Sequence, residues 1–172
     1  MVNFGKQFEN AFKESVPSNM YYLRLKDSPS SFGTNVATRF TLNQPFDCLV
    51  YASPNLFPFE LKSTKSTSFS FKGTTPMIKS NQIKGLSEAS KTDGVIAGFI
   101  FNFREPTNRA YFLHIENFNK FVEGTTKSSI NEKDILAAGA VEIMSKLKKV
   151  KYSYMIKDFI EKLKLTKEEN ND

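Results

Sequence analysis

The chain has few of the residues that staple small proteins together. It has one cysteine (Cys48), one histidine (His114) and no tryptophan in 172 residues. A lone cysteine closes no internal disulfide and lacks the partners of a structural zinc site. No apolar run approaches the ~20 residues that a spanning helix needs. The opening MVNFGKQFENAFKES carries charges where a signal peptide would carry an apolar core. These absences predict a cytosolic chain with no membrane partner. His114 has no serine or cysteine at a spacing that marks a nucleophile and its base, so a structural role is expected for it.

What is present suffices for one core. Hydrophobic residues make up 40% of the chain, including 17 Phe, and a domain of this size buries roughly 70% of its unfolded surface. Lysine and arginine number 24 against 18 acids, a net charge of +6. Such a surplus steers polyanions and releases their counterions on contact, although charge alone does not define a nucleic-acid binder.

Periodicity divides the chain into elements. Phe4, Phe8, Ala11, Phe12 and Val16 share one helical face, with Asn3 as N-cap and Pro17 beyond the end. A short strand is expected at residues 21–25, then a flexible arm at 28–44, rich in Ser, Thr and Asn. Runs at 46–51 and 56–62 read as a hairpin around Ala52-Ser53-Pro54-Asn55, with Pro58 predicting a bulge or an edge. Residues 63–79 read as a polar loop and 81–92 as a helix. The run GVIAGFIFNF at 94–103 reads as a central strand covered on both faces. A strand at 110–115 and a short helix at 117–122 follow. Residues 131–146 read as a capped helix and 154–165 as a last helix. The expectation is a domain over 1–165 and a frayed tail at 166–172.

Asp47 and Glu60-Leu61-Lys62 carry the chemistry. Residues i and i+2 of a strand share a face, so Glu60 and Lys62 project together while Phe59 and Leu61 project oppositely. A four-residue loop pairs Tyr51 with Leu56 and sets Asp47 opposite Glu60. A two-residue loop sets Asp47 opposite Lys62, and an odd loop separates the groups unless a bulge restores register. Cross-strand neighbours lie ~5 Å apart, close enough for two acids to share a hard divalent cation through oxygen ligands. Cys48 alternates with Asp47 and should point into the core.

The order Asn3-x-Gly5-x-x-Phe8-Glu9, Asp47, Glu60-Leu61-Lys62 and Asn81-Gln82-Ile83 resembles the PD-(D/E)XK nuclease superfamily. More narrowly, it is similar to RecU-type Holliday-junction resolvases, including those carried by phages of Gram-positive bacteria. The resemblance implies a restriction-endonuclease-like α/β single domain, its mixed central sheet flanked by helices and its site at one sheet edge. Asp47 and Glu60 would then ligate Mg²⁺ (Mn²⁺ as substitute), with Lys62 the catalytic lysine. Glu9 would support the metal site, and Gln82 would help near the scissile phosphate. The implied activity is hydrolysis of four-way DNA junctions by a homodimer in a bacterial or phage-infected cytoplasm, with recombination or branch-migration proteins as partners. A restriction-type or flap nuclease, or a non-cutting DNA-binding scaffold, are the alternatives. Arg24, Arg39, Lys65, Lys79 and Lys84 are the expected DNA contacts, and Phe69–Phe71 reads either as core or as a dimer or DNA contact. Pro45 and Phe46 stand where cellular members carry Thr or Ser before the motif aspartate. The segment matching their protruding stalk, residues 28–44, is short.

Overall fold

Apolar residues at helical and strand spacing sort the chain into two half-cores, one on each face of a sheet. The computed structural model describes residues 3–25 and 44–169. Its elements are α1 (Phe4–Ser15), β1 (Tyr21–Arg24), β2 (Cys48–Ala52), β3 (Asn55–Thr64), β4 (Ser68–Ser70), α2 (Ser80–Ser90), β5 (Gly98–Phe103) and β6 (Arg109–His114). They continue with α3 (Ile115–Glu123), β7 (Ser129–Asn131), α4 (Glu132–Ala137), β8 (Val141–Ile143), β9 (Ser145–Lys148), β10 (Lys151–Tyr154) and α5 (Ile156–Glu169). Six strands form one sheet in the order β1-β2-β3-β5-β6-β8. It is mixed: β3 and β5 run parallel, the other neighbours antiparallel.

Alternation along β3 and β5 decides what each face holds. Phe57, Phe59 and Leu61 join Ile100 and Phe112 under α1 and α5, where Phe8, Phe12, Phe159 and Ile160 pack. Phe99, Phe101 and Phe103 turn the other way, onto Leu86 of α2, Phe118 of α3 and Ile135 of α4. Phe59 is fully buried, its ring edge-on to Phe12 at 6.0 Å and to Phe112 at 5.5 Å. A side chain so enclosed contributes about 1.5–3 kcal/mol by burial, and it lies next to Glu60. This is the expected class, an α/β domain with helices on both faces of a mixed sheet.

Several expectations change. The helix expected at 131–146 is capped as foreseen, Asn131 Oδ1 accepting from Asp134 N at 3.0 Å, but it ends at Ala137. Gly139, at φ +85°, turns the chain out, and Val141 then pairs with Phe112 on the free side of β6. Sheet pairing outcompetes a moderate helical pattern there. Residues 63–79 are no plain loop, because β3 runs to Thr64 and β4 pairs with β7. Phe69 and Phe71, held by that ribbon, are core residues and not an exposed contact. The last helix continues past 165 to Glu169.

Pro58 makes neither a bulge nor an edge. The β2–β3 ladder is continuous across it, Leu49 opposite Pro58. On the β5 side, Leu56 bridges Val95 and the parallel ladder resumes at Phe59 and Gly98 in the same register. The interruption falls where the proline lacks its N–H.

Candidate active site

The hairpin register places the three motif residues. The β2–β3 ladder closes at Ala52 and Asn55 and pairs Tyr51 with Leu56 and Cys48 with Phe59. That is the register that sets Asp47 across from Glu60. Asp47 N–H donates to Phe59 O at 3.1 Å, and its Oδ2 accepts from Leu61 N–H at 2.8 Å. One side chain and one amide thus pin the acid on either side of Glu60. The site does not lie at a sheet edge, since β3 is flanked by β2 and β5 and β1 forms the edge.

Glu60 is only 2% exposed. Its Oε1 meets the Lys62 ammonium at 2.9 Å and accepts from Gln82 Nε2 at 2.5 Å. Gln82 turns its other amide atom to the backbone, Oε1 accepting from Lys79 N–H at 2.9 Å. It therefore secures the first turn of α2 and the acid together. Burial pushes the Glu60 carboxyl up to about 7, with Lys62 pulling it down and the adjacent Asp47 carboxylate pushing it further up. A buried acid in hydrogen-bond contact with a second acid is costly to ionise without a counter-charge.

Such a donor set fits a hard cation. Among the described residues no group of three or more His, Cys, Asp or Glu side chains is placed to hold an ion. Magnesium does not need one: it keeps several waters and is bound by one or two carboxylates together with substrate phosphate. Asp47 and Glu60 are the residues that would hold it.

Glu9 of α1 forms an ion pair with Arg24 of β1. Arg24 is the cross-strand partner of Cys48, so that pair belongs to the α1 side of the sheet. Lys79 precedes α2, Lys84 is exposed on it, and Lys65 is exposed just after β3. Arg39, and the arm expected at 28–44 apart from Gln44, lie outside the described residues, as do residues 170–172. Cys48 is fully buried and burial pushes its thiol up, which agrees with a core residue. His114 caps α3, its Nδ1 accepting from Glu116 N–H at 3.3 Å.

Two supports of the site were not anticipated. Asn81 Nδ2 donates to Gln44 O at 3.4 Å. At Gly85 a Cβ would lie 2.3 Å from Pro45 Cβ and 2.9 Å from Pro45 Cα. Helix α2 thus lies directly on the segment that leads into Asp47, and a lone glycine in a helical run was the available signal. Gly85→Ala is expected to destabilise by about 2 kcal/mol through overpacking, although helix propensity alone would stabilise it by about 1 kcal/mol. Urea unfolding gives the sign, and an alanine variant more stable than wild type would contradict the close contact.

Fold and site together define an α/β domain in which β3 and the residue before β2 bring two acids and a lysine together beside a helix start. The chain belongs to the Recombination protein U family, whose profile matches residues 33–158. It is 37% identical to the SPbeta prophage-derived uncharacterized protein YotM of Bacillus subtilis (strain 168), over 99% of this chain and 91% of that protein. Among solved structures it is similar to Hjc of Archaeoglobus fulgidus, a Holliday junction resolvase. That match has 15% identity and a TM-score of 0.49, covering 80% of this chain and 93% of Hjc.

Proposed function

We propose that this chain is a divalent-metal-dependent endonuclease that resolves four-way DNA junctions by hydrolysing phosphodiesters, acting as a symmetric homodimer. The observation that carries the reading is the meeting of Asp47, Glu60 and Lys62 on one face, with Gln82 hydrogen-bonded to the buried acid. Family membership and the basic net charge support a recombination substrate.

Each residue has a task that its surroundings fit. Asp47 and Glu60 would hold Mg²⁺, or Mn²⁺ in its place, and a bound cation would supply Lewis acidity and charge neutralisation at the phosphodiester. The Lys62 ammonium, 2.9 Å from Glu60, would orient the attacking water and offset charge that builds on the phosphoryl oxygens. Gln82 fixes the Glu60 carboxylate. The start of α2 has no acid in its first turn, so the positive end of the helix favours a phosphate. Arg24, Arg39, Lys65, Lys79 and Lys84 would hold the backbone, and Glu9 would act through Arg24.

The test is cleavage of junction, duplex and flap DNA with Mg²⁺, comparing wild type with Asp47→Asn. The reading expects paired cuts in the junction alone, lost in the variant. Duplex or flap cutting would reassign the substrate. Binding without cutting in either Mg²⁺ or Mn²⁺ would make the protein a scaffold.

A further inference from the structure

Among the described residues, the β9–β10 ribbon concentrates positive charge away from the site. Its sequence Ser145-Lys-Leu-Lys-Lys-Val-Lys151 carries four lysines and no acid. Register pairs Lys148 with Lys151 and Lys146 with Ser153 on one face, Leu147 with Tyr152 and Ser145 with Tyr154 on the other. The second face is the anchor. Tyr154 is buried, Tyr152 packs against the core, and Tyr154 N–H donates to Ser15 Oγ at 2.9 Å. Three lysines therefore share the face turned from the core, and Lys149 sits at the tip beside Val150, which is 89% exposed.

An ordinary solvated hairpin would not be built this way. Like charges directly opposite one another destabilise a ladder, and Lys148 faces Lys151. Lys151 does reach Glu14, but at 3.4 Å and with both side chains largely exposed. A polyanion laid along this face would turn the repulsion into attraction.

The ribbon's position in the fold adds to this. Tyr154 hydroxyl accepts from Asn108 Nδ2 at 3.4 Å, Asn108 Oδ1 accepts from Asn102 Nδ2 at 3.0 Å, and Asn102 Oδ1 accepts from Ser63 Oγ at 2.8 Å. Ser63 follows Lys62. Ser63 projects to the sheet face opposite Lys62, so the ribbon is rooted at the end of β3 on the α1–α5 face. Given a DNA substrate, on which this inference rests, we propose that the β9–β10 ribbon is a second DNA contact. It grips a duplex arm of the substrate through Lys146, Lys148, Lys149 and Lys151. A two-stranded ribbon fits a major groove about 12 Å wide.

The test neutralises Lys146, Lys148 and Lys149 to Gln in an Asp47→Asn background and measures four-way junction and duplex binding by fluorescence anisotropy across salt. A control neutralises Lys91, Lys120 and Lys133, an equal charge change elsewhere. The ribbon triple should bind about tenfold or more weakly, with a log–log salt slope shallower by about two to three, and the control should change far less. Equal effects of the two triples, or an unchanged slope, would overturn the ribbon's role while leaving wild-type cutting to judge the nuclease reading. A ribbon-specific loss of binding with no cutting by wild type would sink the nuclease reading and keep the ribbon. Wild type that binds no DNA would sink both. Should the triple melt early, Lys149→Gln at the tip alone carries the same comparison.

Discussion

Asp47→Asn and Lys62→Ala are each expected to lower single-turnover cleavage by about 10³-fold, with junction affinity within about threefold of wild type. The asparagine keeps an oxygen where Asp47 Oδ2 accepts from Leu61 N–H, so the strand end stays in place and only the charge is lost. A cation held by one acid rather than two loses much of its grip, and the Lewis acidity it supplies is worth several kcal/mol. Lys62→Ala removes the ammonium that faces both Glu60 and the position where phosphoryl charge would build. Removing a single preorganised charge-stabilising donor costs about 10²–10³ in rate. Lys62→Arg should not rescue, because a planar fork does not replace a point charge in a pocket where the lysine side chain is 14% exposed. Cutting within tenfold of wild type by either primary variant would remove that residue from the mechanism.

Glu60→Gln is expected to abolish cutting and, with no divalent cation present, to stabilise the protein at alkaline pH. The folded chain holds the Glu60 proton up to about pH 7, against an ordinary 4.5. Between those values the folded state binds more protons than the unfolded state, so stability falls as pH rises through the window. The shift corresponds to roughly 3 kcal/mol. Glutamine cannot ionise, so its urea-unfolding stability should not follow that decline and should exceed wild type at pH 8. Mg²⁺ should then stabilise wild type at pH 8, by binding the folded state, and leave the variant unchanged. Parallel pH curves for the two proteins would mean that Glu60 ionises without cost, contrary to its burial.

The fold class and the faces of the central strands were legible in the sequence. Strand parity alone sent Glu60 and Lys62 away from Phe59 and Leu61, while Asp47 stayed open among the loop lengths until the ladder register placed it. Such alternation is local, so sequence displays it directly. Gln82 could be placed on a helix, but its hold on both Lys79 N–H and Glu60 depends on how α2 lies across the sheet. Gly85 against Pro45 is a contact between distant segments and leaves only an unexplained glycine in the sequence. Strand β8 was hidden because Val141-Glu142-Ile143 fits a weak helical pattern as well as a strand, and the open side of β6 decides between them. Asn102, buried at 1%, interrupts the most apolar run, yet its partners Ser63 and Asn108 emerge only from the register.

The β2–β3 turn also constrains which deletions the lineage can tolerate. Core and catalytic groups occupy alternate positions of one strand, so losing a single residue between Asn55 and Phe59 would swap their sides, sending Glu60 toward Phe12 and a phenylalanine toward Gln82. Viable length changes inside that strand come in twos, whereas the exposed Ser53-Pro54 corner can vary in residue type at constant length.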